Sequence, residues 1–175
     1  MQDAPSFIAQ SCLRKYVDES IPARWSCPSY PTHLASAQGH NEISKTPYGI
    51  LAGVKDGEAF TNHEWGGEIY EGMKPQEGDL VVKGKSGLCG FHSTNLDFLL
   101  RQNNIQNVVL AGFLTNCCVE STMRSAYERG YRVYTLKDCC AATSVAGQEA
   151  AYEYTFGLFS IPTDSDEFLQ SLQKD

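Results

Sequence analysis

A chain of 175 residues, 42% hydrophobic and 20% charged, carries enough apolar material for one globular domain, which at this size buries about 70% of its extended surface. The formal charge of −7, with 14 scattered Lys and Arg, argues against nucleic acid as a partner, because a phosphate backbone demands clustered cations. No apolar run approaches the roughly 20 residues of a spanning helix and no basic-then-apolar leader opens the chain, so no membrane contact and a cytoplasmic location are expected.

Met1–Gln38 carries Pro5, Pro22, Pro28 and Pro31 and apolar residues of no clear period; one short helix is expected near Ala9–Val17. Residues 39–78 are loop-rich: Gly39–Phe60 reads as an extended surface loop and Glu64–Met73 as a short helix. From Asp79 the pattern turns regular. Asp79–Lys83 is short and β-branched and predicts a strand. Ser93 offers an N-cap to a helix over Thr94–Asn103, whose Leu96, Leu99 and Leu100 recur at helical spacing. Asn107–Gly112 predicts a strand apolar on both faces. A helix follows over Cys117–Arg129, with Val119, Met123, Ala126 and Tyr127 on its inner side and Gly130 as its stop. Tyr131–Leu136 predicts a strand, Gly147–Thr155 a helix, Leu158–Ile161 a short strand and Asp164–Leu172 a closing helix.

Alternating strands and helices at this spacing imply crossovers and a parallel sheet with helices on both faces, a three-layer Rossmann-like α/β fold with an atypical or incomplete N-terminal part. The whole chain is expected to be one domain: 1–38 atypical, 39–78 loop-rich, 79–175 the core. Ligands collect at the carboxyl ends of such strands, which places the loops Gly84–Phe91, Phe113–Cys117 and Asp138–Ser144 on one rim.

The seven cysteines are Cys12, Cys27, Cys89, Cys117, Cys118, Cys139 and Cys140. An odd number with two adjacent pairs is poor material for a disulfide framework, and no spacing with His33, His40, His63 or His92 makes a zinc site. In Leu114-Thr-Asn-Cys-Cys-Val119 a strand ends, the chain turns and a helix begins. A thiol in a first helical turn is drawn toward thiolate, and the unpaired N–H groups there can hold an oxyanion. Buried structural thiols are the competing account. Lys85 follows a predicted strand onto the same rim, where an ammonium favours a neighbouring thiolate; a solvated loop lysine is the alternative for it and for Lys83. Phe91, Trp65 and Tyr48 are candidate walls of a substrate pocket, against ordinary core or surface packing.

The run Gly112–Tyr131 resembles the segment of isochorismatase-like cysteine hydrolases written G-x-x-T-[ND]-x-C-V-x-x-T-x-R-x-A-x-x-x-G-[YF]. Asp138–Thr143 is similar to that family's D-x-x-x-A-[TS], and Lys85–Leu96 to its K-x-x-x-x-x-F-x-x-T-x-L. The resemblance covers Asp79 to about Pro162 and aligns the family nucleophile with Cys118, not Cys117, and the family lysine with Lys85. It implies hydrolysis of an amide or ureide C–N bond of a small molecule through a thioester. It also implies an oxyanion hole from the backbone N–H groups of Leu114 and Cys118, a non-proline cis peptide at Phe113–Leu114, and a turn shaped by Phe113, Thr115 and Asn116. No cofactor or metal is expected, and the resemblance implies a homo-oligomer, dimer or tetramer.

The family pattern also has an aspartate, a general base, at the end of an N-terminal apolar strand. No such strand is evident before Gly39, and neither Asp3 nor Asp18 lies in a β-branched run. A truncated or mis-spliced version of a family sequence is the favoured reading; a degenerate non-catalytic relative and an unfamiliar N-terminus supplying the acid otherwise are the others. The function is thus read as a cysteine amidohydrolase, with a non-catalytic binding or scaffold protein as the alternative. Redox work by Cys117–Cys118 or Cys139–Cys140 is disfavoured, since reactive pairs normally have a spacer.

Overall fold

A computed structural model describes residues 6–9, 39–62, 64, 68, 74–75, 77 and 79–172. In chain order the elements are β1 (Ser6–Ala9), α1 (Ile50–Asp56), α2 (Leu96–Gln102), β2 (Asn107–Phe113), a wide turn (Thr115–Val119) running into α3 (Glu120–Glu128), β3 (Arg132–Ala141), α4 (Val145–Ala151), a second wide turn (Tyr152–Phe156) leading to α5 (Gly157–Phe159), β4 (Ile161–Thr163) and α6 (Ser165–Leu172). The strands form one parallel sheet in the order β1-β2-β3-β4.

The centre of the sheet explains the layering. Along β2, Val108 and Leu110 join a core with Leu96 and Leu100 of α2, Met123 and Ala126 of α3, and Phe156. Val109 and Ala111 point the other way, into a smaller core with Leu136, Cys139 and Phe168 of α6. A strand whose alternate residues feed two cores must be covered on both faces, so the fold is a three-layer α/β sandwich. β3 changes face partway: Leu110 pairs with Thr135 but Gly112 with Cys140, so two steps of β2 span five of β3. The irregularity lets Leu136 and Cys139 both reach the smaller core although they stand an odd number of positions apart.

Several expectations are corrected. A strand does precede Gly39: Ser6–Ala9 lies parallel beside β2, with Ser6 opposite Asn107 and Ala9 opposite Leu110. Asp79–Lys83 is not a strand; the Lys83 N–H donates to the Asn95 side chain at 3.0 Å instead of entering a ladder. Ser93 does not cap α2, which begins after Asn95; Ser93 has a left-handed backbone, and its hydroxyl accepts from the Ser86 N–H. Tyr127 faces outward, its ring edge-on to Phe159. Leu158 and Phe159 continue the helical run, so the last strand starts at Ile161. The helices at Ala9–Val17 and Glu64–Met73 fall largely outside the described residues; Ala9 itself is in β1, and Glu64 and Glu68 are in bends.

Candidate active site

Parallel strands deliver their carboxyl ends to one edge, and the turn after β2 lies there. The Phe113–Leu114 peptide is cis. Beyond it the N–H groups of Cys117 and Val119 both donate to the Leu114 carbonyl at 3.1 Å, closing a turn that passes over the amide of Cys118. The amides of a first turn lack helical acceptors, so this is where an incoming oxyanion would find donors. Cys117 and Cys118 are both half-buried free thiols, Thr115 is fully buried, and Asn116 and Phe113 are exposed.

The loop carrying Lys85 is fastened to the same helix. Gly90 N–H donates to the Thr122 hydroxyl at 2.8 Å, and that hydroxyl donates to the Cys118 carbonyl at 2.7 Å. The approach is close: a Cβ at position 90 would sit 3.2 Å from the Thr122 methyl, which would have to give by a few tenths of an ångström. The Cys89 thiol donates to the Ser125 hydroxyl at 3.2 Å, a second tie between the loop and α3. Gly84, with φ of +88°, starts the loop.

These ties seat Lys85 in the protein at 7% exposure, while Lys83 stays exposed. Burial holds Lys85 below the ordinary lysine value, and the sulfurs of Cys118, Cys89 and Cys117 pull it back toward the ammonium. No carboxylate of a described residue is among the groups acting on it. Cys117 is held as a thiol: burial first, then the charge of Cys118 and a hydrogen bond with it, push Cys117 up to about 11 against the opposing pull of Lys85. Cys117 is therefore kept protonated.

Of the candidate pocket walls, Phe91 belongs to the main core, stacked on Tyr131 at 5.9 Å beneath the guanidinium of Arg129. Tyr48 is 90% exposed, and Trp65 lies outside the described residues. Asp3 and Asp18 lie outside them as well. Sequence reasoning missed Thr122, whose signal was its place one helical turn after Cys118, and Gln148, which binds the turn after β2 from α4. Among the described residues no group of three or more His, Cys, Asp or Glu could hold a metal ion, and no helix is long and apolar enough to cross a membrane.

Fold and site together define an α/β protein with a half-buried cysteine and a buried lysine at the carboxyl edge of a parallel sheet. The Isochorismatase domain family profile matches residues 29–167, and the chain belongs to that family. Among curated proteins it is similar to the ureidoacrylate amidohydrolase RutB of Pseudomonas savastanoi pv. phaseolicola, at 36% identity over 108 residues, 62% of this chain and 42% of the relative. The corresponding protein of Variovorax paradoxus is 34% identical over 116 residues, 66% of this chain and 46% of the relative. The matches thus span less than half the length of these curated relatives. Among solved structures, an isochorismatase-like hydrolase from Alkaliphilus metalliredigens superposes with a TM-score of 0.73 at 23% identity, covering 96% of this chain and 99% of that one. N-carbamoylsarcosine amidase from Thermoplasma acidophilum gives 0.68 at 22% identity, covering 94% and 98%.

Proposed function

We propose that this chain is a cysteine amidohydrolase acting on a small amide or ureide, with Cys118 as nucleophile. The observation that carries the reading is the seating of Lys85: a buried ammonium whose charged neighbours among the described residues are thiols, Cys118 first. The thiolate attacks the substrate carbonyl carbon, and the C–O π electrons move onto oxygen, which the N–H groups of Leu114 and Cys118 receive. The C–N bond breaks, and the leaving nitrogen takes a proton from the Lys85 ammonium. Water then attacks the thioester, gives its proton to the Lys85 amine, and the C–S bond breaks to regenerate the thiolate. The balance is amide plus water to carboxylic acid plus amine or ammonia. Phe113, Thr115 and Asn116 shape the turn. The names of the similar proteins, a ureidoacrylate amidohydrolase and an N-carbamoylsarcosine amidase, support a carbamoyl or ureide group as the substrate class.

A second reading, a non-catalytic relative, is favoured by one observation. β1 occupies a place beside β2, but the sequence after it, Gln10–Val17, holds no acidic residue to act as the family's general base.

Alkylation with iodoacetamide across pH, with the modified cysteine located by mass spectrometry, separates the two. The hydrolase reading expects selective labelling of Cys118 at or below neutral pH, lost in Lys85→Ala, together with ammonia release from ureides. Labelling only above the free-thiol value of about 8.5, without preference for Cys118, favours the non-catalytic relative.

A further inference from the structure

We infer that Gln148 is a positioning residue that fixes the backbone donors of the nucleophile turn by gripping Thr115. The inference rests on the amidohydrolase reading for its meaning, though the grip is a property of the fold.

The hydrogen bonds run in one direction from the turn to the sheet. The Thr115 hydroxyl, fully buried one residue beyond the cis peptide, donates to Gln148 Oε1 at 2.8 Å. Gln148 Nε2 spends both hydrogens, one on the Cys140 carbonyl at 2.9 Å and one on the Tyr152 hydroxyl. Tyr152 passes its own hydrogen to the Lys137 carbonyl at 2.6 Å. One amide thus joins the turn after β2, the end of β3 and the helical run after it.

The position matters because of what Thr115 lies between. Leu114 on one side and the Cys118 amide on the other are the donors proposed for the oxyanion, and the carbonyl of Leu114 closes the wide turn. A rotation at Thr115, which lies between them in the chain, changes the place of one donor relative to the other. The contact of Gln148 with the turn is through the Thr115 hydroxyl, and as an uncharged side chain it adds no charge beside Cys118. Oxyanion donors act by direction as much as by presence, and a misplacement of about 1 Å costs on the order of 100-fold in rate.

The test uses Gln148→Met, which keeps the length and removes the polar atoms, and Gln148→Glu, which keeps the shape and removes both donors. Hydrogen–deuterium exchange of residues 113–119, compared with β2 and α3 in the same sample, reads the grip without reference to activity. Gln148→Met is expected to speed exchange in 113–119 while α3 stays protected. In Gln148→Glu the excess exchange over wild type should shrink as pH falls and the carboxyl regains a proton to donate. With a ureide substrate, kcat should fall by about 10- to 100-fold with little change in KM, while iodoacetamide still labels Cys118 at near the wild-type rate, since alkylation needs no oxyanion hole. Unchanged exchange in 113–119 overturns the inference, and so does exchange rising equally throughout the chain, which marks a merely structural residue. A wild-type protein that turns over no ureide overturns the amidohydrolase reading instead, and leaves exchange to decide the role of Gln148.

Discussion

A lysine seated at 7% exposure among three sulfurs carries a desolvation cost that its partners only partly return, because a thiol contributes charge only when it has lost its proton. The fold would be better off with a hydrocarbon there. Lys85→Met keeps most of the stem volume, and replacing a buried charge by an apolar side chain is commonly neutral or stabilising by about 1–4 kcal/mol. The expected outcome is a melting temperature raised by a few degrees, roughly 2–4 °C per kcal/mol for a chain of this size, with Cys118 labelling at neutral pH lost. The sign of the pH dependence follows from the lowered value. In the window below the ordinary 10.5 the unfolded chain binds the proton more readily than the folded one, so the contribution of this group to stability rises with pH. The advantage of Lys85→Met should therefore be largest near neutrality and shrink toward alkaline pH, which thermal melts across that range would show. A lowered melting temperature at neutral pH would mean that the charge of Lys85 supports the loop.

Between residue and fold stands the loop 84–91, which hydrogen bonds tie to α3 and which a left-handed glycine opens. At Gly84 the backbone is left-handed, and a Cβ would lie 2.5 Å from the Ser93 carbonyl oxygen, a rigid neighbour. Gly84→Ala should cost about 1–3 kcal/mol and pull Lys85 out of register with the turn after β2, seen as a lower melting temperature together with slower Cys118 labelling; a melt identical to wild type would show that the loop can shift at no cost. Such a loop explains how far sequence reasoning reached. The strand at Asn107, the helix after it and the closing helix were legible because Val108, Leu110, Met123, Ala126 and Phe168 repeat with the periods of buried faces, whereas Leu158–Ile161 was misread. Cys118 and Lys85 were singled out because their neighbours resemble a family pattern over many positions. Asp79–Lys83 was misread because its apolar residues look like a strand while the Lys83 amide goes to a side chain. β1 was missed because four residues beside Pro5 carry too little alternation to signal a strand, and what identifies it is pairing with β2, nearly 100 residues away. Gln148 was invisible for a similar reason: a glutamine on a helix declares nothing until Thr115 is placed against it.

At the scale of the molecule the sheet is held by two unequal layers. Most buried apolar residues sit on the side of α2 and α3, and the opposite side rests on a small cluster in which Phe168 of α6 packs against Tyr134 at 5.3 Å. The small layer is fastened by polar groups at the entry to α6. Asp138, at the end of the irregular part of β3, accepts from the Ser165 N–H at 2.9 Å and from the Ser165 hydroxyl. Burial opposes the charge of Asp138, but the Ser165 hydroxyl and amide, its own N–H and the Cys139 thiol outweigh it and hold the carboxyl below its ordinary value. A carboxylate with a lowered value stabilises the fold above the unfolded value and loses that contribution as pH falls through the folded one. Acid should therefore loosen α6 before it loosens α2 and α3, because the layer with the least apolar burial also loses its fastening. Hydrogen exchange at mildly acid and strongly acid pH is expected to show protection in Ser165–Leu172 falling first, with Glu120–Glu128 still protected. Asp138→Asn should show the weaker α6 protection already at neutral pH and a flatter dependence below it. Simultaneous loss in both helices would mean that the two layers unfold as one unit, with the whole stability of the sheet shared between them.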